Sequence, residues 1–388
     1  MGVDGLNDLI KDKGGGFDKC VLSEFRGKRI GIDAPWWCAS TYAIAHKTIY
    51  KKIKKADLAI ADPKEEVIMN EWFKTHVAKT LIMWLKNDVT PLFIFDGDAR
   101  PEKEAERTRR RTTKQAKTDE LEADRANIDS RDILERGEID IENYRKKKMM
   151  HPHYNYRAMK CLKKVLDAIG LPWAIAKHDA EQLCAILSIE GFTFATFTKD
   201  TDALAFGARF ILTSRDYKLN FDEGVPSPSF SCLDSQKVFK ELGLSFPEFV
   251  DMCILAGCDY NSGLGQISLK RAYEIIREYG SIDDIPQSRP GYLSNDELRK
   301  LPGFGNLPYS ATFKLKELNH VKCRNIFQFV TSVNFIKECD LDLRATNIDE
   351  LNKICEKYEI SASFNLVIKE KDKLSAPASG IHTAFFIL

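Results

Sequence analysis

Short, almost purely apolar runs that end on an acidic residue recur along this chain. Arg29-Ile30-Gly31-Ile32-Asp33 and Pro91-Leu92-Phe93-Ile94-Phe95-Asp96 are the two plainest. Runs of this length and composition predict short buried strands. Three more are predicted: residues 172–176, followed closely by Asp179 and Glu181; 193–197, leading into Asp200 and Asp202; and 210–212. Between the first two strands, Trp72, Phe73, Val77, Leu81, Trp84 and Leu85 recur at helical spacing. A helix over 72–85 covering a sheet face is therefore predicted. Helices alternating with short apolar strands imply an α/β fold with a mainly parallel sheet. No internal repeat is visible at the usual solenoid periods.

The pattern breaks in the middle. More than half of residues 102–148 are charged and few are aromatic, so this stretch is expected to stay outside any packed core. Lys103, Arg107, Arg110, Lys114 and Lys117 step at helical spacing and would line one face. No acid interrupts Arg107 to Lys117, and a second basic cluster spans 145–148. Residues 222–231, rich in Gly, Pro and Ser, read as a loop. Helices are predicted beyond it at Ser235–Leu242, Phe246–Ala256, Leu269–Tyr279 and Ile348–Tyr358, with a loose tail at 375–380.

Composition narrows the class. At 388 residues, one large or two modest domains are expected. Apolar content of 44% with 30% charged residues describes an ordinary globular protein. The net charge of +1 hides local segregation and says little about partners. Ten cysteines without a CxxC pair point to reduced thiols in a cytosolic or nuclear protein. The first ten residues lack the apolar core of a signal peptide, and no run approaches a membrane span. A soluble intracellular protein is expected, with the nucleus as its compartment and no membrane partner.

The acids carry the candidate chemistry. Asp33, Asp96, Asp179, Glu181, Asp200, Asp202 and Asp259 are the set, most of them at the ends of strand-like runs. Open α/β sheets place their ligands at that edge. Carboxylates converging there repel one another unless a hard cation sits between them, and Mg²⁺ prefers oxygen ligands. The Asp179/Glu181 and Asp200/Asp202 pairs share i, i+2 spacing, which on extended backbone puts both groups on one side. Alternatively they mark helix N-termini, where the dipole favours acids.

Other features have two readings each. The basic stripe is either a solvated helix face or a holder for the phosphates of a polyanionic substrate. Residues 249–260, a loop at 261–268 and a helix carrying Lys270 and Arg271 form either an ordinary αα-hairpin or a backbone phosphate site. Trp36 and Trp37 would stack on a nucleotide or pack in the core. His151 and His153 read as surface loop residues.

Taken together, Met1-Gly2-Val3-Asp4-Gly5-Leu6, Ile32-Asp33, Phe95-Asp96-Gly97, Asp179-Ala180-Glu181, Thr198-Lys199-Asp200-Thr201-Asp202 and Leu255-Ala256-Gly257-Cys258-Asp259-Tyr260 resemble the flap endonuclease/5′ exonuclease (XPG-type) nucleases. The order and approximate spacing agree over residues 1 to about 285. The resemblance implies a PIN-like 5′-nuclease core, a helical arch and a helix–two-turn–helix element. It divides the chain into an N-terminal nuclease block (1–101), a charged arch (102–155), an internal nuclease block (156–232), a duplex-binding region (233–285) and a C-terminal helical region with its tail (286–388). The seven acids would be the metal set. Asp96, Glu181 and Asp200 would be inner ligands, with Asp202 and Asp259 serving a second ion about 4 Å away. Lys103 and Arg110 match two arch residues that contact the scissile phosphate.

The resemblance extends to partners and cofactors. Gly2, Arg107, Lys114, Gly263, Gly265, Lys270 and Arg271 are the DNA-binding candidates. Two Mg²⁺ ions, with Mn²⁺ able to substitute, and a K⁺ ion at the helix–two-turn–helix loop are the implied cofactors. The expected partner is DNA with 5′ flaps, nicks, gaps or ends, cut by a monomer. A sliding clamp enters through the aromatic pair of the tail, Phe385-Phe386, although Ser379 stands where the clamp motif has Gln.

Three departures stand out. Asp179 occupies a position where Glu is usual, with a shorter reach toward an ion. The hairpin reads Gly265-Gln266-Ile267-Ser268 where Gly-Ile-Gly is typical. The stretch after Asp33 is one residue longer, leaving Trp36, Trp37 and Tyr42 all as stacking candidates. The arch is closer to the mismatch-repair exonuclease branch, and the total length closer to flap endonucleases. A catalytically silent nucleic-acid-binding scaffold and a Holliday-junction-type resolvase are the competing readings. Retention of all seven acids argues against the first, and the charged arch against the second.

Overall fold

The computed structural model describes residues 3, 5–15, 18–52, 62–131, 138–152, 156–213, 229–261, 263, 267–285, 318–327 and 336–374. Its strands are β1 (Asp18–Val21), β2 (Arg29–Asp33), β3 (Thr90–Phe95), β4 (Trp173–Ala176), β5 (Ala195–Phe197), β6 (Phe210–Thr213), β7 (Ser229–Asp234) and β8 (Ile336–Asp340). They form one sheet in the order β1-β7-β6-β5-β2-β3-β4-β8. Strands β6, β5, β2, β3 and β4 run parallel, while β1, β7 and β8 are antiparallel additions at the two sides. The chain builds outward from β2 through β3 to β4, then returns to β2's other side for β5 and β6. The strand order therefore reverses beside β2, and the crevice at such a reversal is where open α/β sheets bind ligands.

Side-chain alternation explains why the sheet is covered on both faces. In β3, Phe93 and Phe95 enter one core with Trp37, Trp72 and Trp84, while Leu92 and Ile94 enter another with Leu183 and Leu187. The first face is covered by α2 (Ala34–Lys52), α3 (Glu65–Trp72), α4 (Ala78–Lys86) and α7 (Tyr156–Ile169). A π-helical turn, Phe73–Val77, joins α3 to α4 within the predicted helix. The second face is covered by α8 (Ala180–Ile189). A third core gathers α1 (Leu6–Asp12), α9 (Asp202–Ala205), α10 (Ser235–Leu242), α11 (Phe246–Ala256), α12 (Leu269–Tyr279) and α13 (His320–Phe327).

The charged middle folds as α5 (Glu104–Asp129) and α6 (Glu138–Met150). The expectation that it stays outside any core needs one correction. Leu121 and Ile128 of α5 bury against Tyr144 of α6, a small core of its own, because the few apolar residues in the run share one side. After β8 come α14 (Ile348–Tyr358) and α15 (Ser361–Lys371), which return to the first face. The loop expected over 222–231 is also corrected, since Ser229 already pairs with Val21 in β7. Residues 222–228, the tail at 375–388 and His153 lie outside the described residues. All ten cysteines are free, and no described helix is long and apolar enough to cross a membrane.

Candidate metal centre and nucleic-acid cleft

The ends of β2 and β3, the helix starts that follow β4 and β5, and the turn after α11 deliver the acids. Asp33 is the last residue of β2 and also caps the first turn of α2. Its Oδ1 accepts the Trp36 N–H at 3.2 Å, and its Oδ2 accepts the Thr198 hydroxyl at 3.0 Å. Asp96 follows β3 and accepts the Ala180 N–H at 2.9 Å, so it caps α8 across the sheet edge. That crossing depends on Gly97, whose N–H donates to the His178 carbonyl at 2.7 Å; a Cβ there would lie 1.9 Å from the Ala176 carbonyl oxygen.

The two i, i+2 pairs resolve in favour of helix N-termini, and the same geometry still brings the acids together. Asp179 is the N-cap of α8 and Glu181 lies in its first turn; Asp202 opens α9. Asp200 accepts the Asp202 N–H at 3.2 Å, and its own N–H donates to Thr198 Oγ1 at 3.0 Å. Carboxylate oxygens of Glu181, Asp202 and Asp259 all lie within 4.8 Å of one another. Asp202 Oδ1 accepts the Val3 N–H at 3.0 Å, whereas its Oδ2 is buried with no hydrogen-bond partner among the described residues.

Burial and mutual repulsion disfavour charge on Asp33, Asp96, Glu181, Asp200 and Asp202. Burial, with the neighbouring Asp96 charge, raises Asp33 to about 7. Burial and Asp200 raise Asp202 to about 8. Burial likewise raises Asp96, Glu181 and Asp200. A buried orphan oxygen amid carboxylates held above their ordinary range fits an oxygen-seeking divalent cation, which would relieve both.

Asp179 stands apart. Burial pushes it up, but the charges of Lys103 and Arg100 outweigh that and hold it below the usual carboxylate range. Lys103 Nζ lies 2.9 Å from Asp179, 3.0 Å from Glu181 and 3.6 Å from Asp259. Burial opposes its charge, yet Glu181, Tyr260 and Asp179 together raise its pKa. Arg110 Nη2 reaches both oxygens of Asp259, at 2.9 and 3.0 Å, while its Nε bonds Glu106 at 2.6 Å.

Several contributors escaped the sequence reading. Arg100 binds Asp179 and Gln182; Tyr260 donates its hydroxyl to Asp179 at 3.1 Å; Thr198 links Asp33 to Asp200. Thr198 and Tyr260 stand inside the quoted motifs, so adjacency to the acids was the available signal. Arg100 and Gln182 carry no local signal. A short segment far along the chain steadies both halves of the site. Gln182 donates to the Ile326 carbonyl at 2.7 Å, and Asn261 to the Leu318 carbonyl at 3.0 Å, at the two ends of α13.

A cleft of about 900 Å³ opens beside Asp259, between α1, the start of α5 and the loop joining α11 to α12. Its lining includes Arg109, Arg110, Ser268 and Lys270. Gly263 turns the loop with φ 69°, and a Cβ there would lie 2.6 Å from the Ala256 carbonyl oxygen. Lys270 is exposed, while Arg271 is half-buried with its N–H held by Ser268. Lys114 and Lys117 line a second, smaller cleft with His151. Exposed Arg107 bonds Glu104 at 3.0 Å. Gly2 and Gly265 lie outside the described residues. Of the stacking candidates, Trp37 and Tyr42 are corrected to core residues, fully enclosed beside Trp72. Trp36 is half-buried, its ring edge-on to Phe197.

Comparison with known proteins agrees with this geometry. The XPG N-terminal domain matches residues 1–117 and the XPG I-region matches residues 170–259. Flap endonuclease 1 of Osmerus mordax is 30% identical over 303 residues, covering 78% of this chain and 71% of that protein. Flap endonuclease 1 of Enterocytozoon bieneusi is 27% identical over 378 residues, covering 96% and 90%. Among solved structures, the catalytic core of Rad2 in complex with DNA substrate shares the fold, with a TM-score of 0.58 at 18% identity, covering 95% of this chain and 100% of that one. The chain belongs to the flap endonuclease family of XPG-type nucleases.

Proposed function

We propose that this protein is a structure-specific 5′ nuclease that hydrolyses phosphodiester bonds in DNA at flaps, nicks, gaps or ends. The observation carrying this reading is the gathering of Glu181, Asp202 and Asp259 carboxylate oxygens within 4.8 Å of one another beside Asp202 Oδ2, which is buried without a hydrogen-bond partner among the described residues. Asp33, Asp96, Glu181, Asp200, Asp202 and Asp259 would hold two divalent cations, Mg²⁺ or Mn²⁺. Bound there, such ions supply Lewis-acid polarisation of the phosphoryl group and lower the pKa of water.

The chain's own groups complete the chemistry. Lys103 and Arg110 project from the base of the arch toward the acids and would neutralise charge building on the scissile phosphate. The cleft beside Asp259 would seat the duplex, its phosphates meeting the N-terminus of α12 and Lys270. Such contacts carry no base information, so junction shape would set specificity. A potassium ion at the α11–α12 loop, action as a monomer, a nuclear location and clamp binding through the tail complete the reading.

The test uses labelled 5′-flap and nicked duplexes with Mg²⁺. Asp202→Ala should lower cutting at least about a thousandfold while retaining most DNA affinity. Undiminished cutting by that variant refutes the assigned centre. Product mapping on the same panel separates flap endonuclease from 5′ exonuclease activity, and a preference for four-way junctions would shift the reading to resolution.

A further inference from the structure

Asp179 has been counted among the acids, yet its oxygens are already in use. Oδ1 meets Lys103 at 2.9 Å; Oδ2 accepts Arg100 Nε at 2.8 Å and the Tyr260 hydroxyl at 3.1 Å. Arg100 is itself anchored. Its Nη2 donates to Gln182 Oε1 at 2.5 Å, and Gln182 passes the load to the Ile326 carbonyl of α13. Arg100 and Asp179 are both nearly enclosed, with side chains 11% and 14% exposed. An ion pair so enclosed, with each partner held by further hydrogen bonds, is costly to open.

The position of Arg100 says what the pair does. It is the residue just before the turn Pro101–Lys103, which leads directly into α5. Asp179 is the N-cap of α8. The pair therefore ties the base of the arch to the helix that carries Glu181. Lys103 sits three residues from the tie, and Arg110 two helical turns beyond it.

Resting on the metal-centre reading above, we infer that Asp179 is not a metal ligand in this chain. It is the anchor for Arg100, a positioning residue that sets Lys103 over the acids. Arg100 acts through Lys103 and touches neither ion nor substrate.

The test compares Mn²⁺ binding, followed by the spin-resonance signal of free Mn²⁺, with steady-state cutting of a 5′-flap duplex. Removing the two charges together, in Arg100→Gln/Asp179→Asn, leaves the local charge balance unchanged. The double variant should keep the parent's Mn²⁺ stoichiometry and affinity within about threefold, while kcat falls about tenfold or more at little-changed KM. Glu181→Gln, the control ligand, should lose at least about tenfold in Mn²⁺ affinity. A double variant that loses as much Mn²⁺ affinity as Glu181→Gln overturns the inference and returns Asp179 to the ligand set. If Glu181→Gln binds Mn²⁺ like the parent, the metal-centre reading itself falls, and this one with it. Arg100→Lys covers the case of an unstable double variant: its ammonium can hold Asp179 but not Gln182 as well. It should bind Mn²⁺ as the parent does with an intermediate kcat; a kcat equal to the parent's denies the positioning role.

Discussion

Arg110 spans Glu106 and Asp259, so one guanidinium joins the arch to the metal centre. Its side chain is 37% exposed, which leaves it free to exchange a carboxylate for a phosphate as substrate arrives. Arg110→Ala should lower kcat by about a hundredfold or more while duplex affinity changes by less than about fivefold. Equal losses in turnover and affinity would reassign it to plain binding. At this scale the acids were readable because residue type and place coincide: a carboxylate ending a buried run needs an explanation. Arg100 was not readable. It lies 79 positions from Asp179, and nothing near it in sequence marks it as a partner.

The same contrast holds among elements. Strands β2 and β3 are buried along their whole length, so their apolar runs are continuous. β1 and β8 present mostly exposed or half-buried positions, Asp18-Lys19-Cys20-Val21 and Ile336-Lys337-Glu338-Cys339-Asp340, and lack any such signal. They exist because the neighbouring strand offers unpaired backbone, which composition does not record. Close backbone approach is equally silent. Gly97→Ala would drive a Cβ into the Ala176 carbonyl and should cost about 3 kcal/mol or more in urea unfolding. A loss below about 1 kcal/mol would mean that the crossing relaxes.

The π-helical turn supplies a pH-dependent element. Burial lowers His76 from 6.5 to about 4, and its Nδ1 has no hydrogen-bond partner among the described residues. Below 6.5 the unfolded chain takes up a proton that the folded protein refuses. Stability should therefore be constant with respect to this group above about 7 and fall as pH drops toward 4, by up to about 3 kcal/mol. His76→Gln should flatten that part of the curve in urea titrations at stepped pH. An unchanged slope would show that His76 accepts its proton in the folded state.

Across the whole molecule, stability and chemistry compete at one place. Folding forces like charges together beside β2, and Arg100, Lys103 and Arg110 answer them from within the chain. Any ligand that binds only the folded form adds stability by mass action. Mg²⁺ well above its dissociation constant should therefore raise the melting temperature by roughly 3–8 °C over the same protein in EDTA. Asp202→Ala should melt alike in both. A parent protein indifferent to Mg²⁺ would leave the acids as a purely electrostatic liability.

The carbonyls at either end of α13 each take a hydrogen from a different half of the centre, one through Gln182 and the other through Asn261. This ten-residue stretch works as a keystone in an arch of masonry: it carries no catalytic acid, but the stones on both sides lean on it. Shortening the protein ahead of residue 318 would delete none of the carboxylates and still leave them out of true.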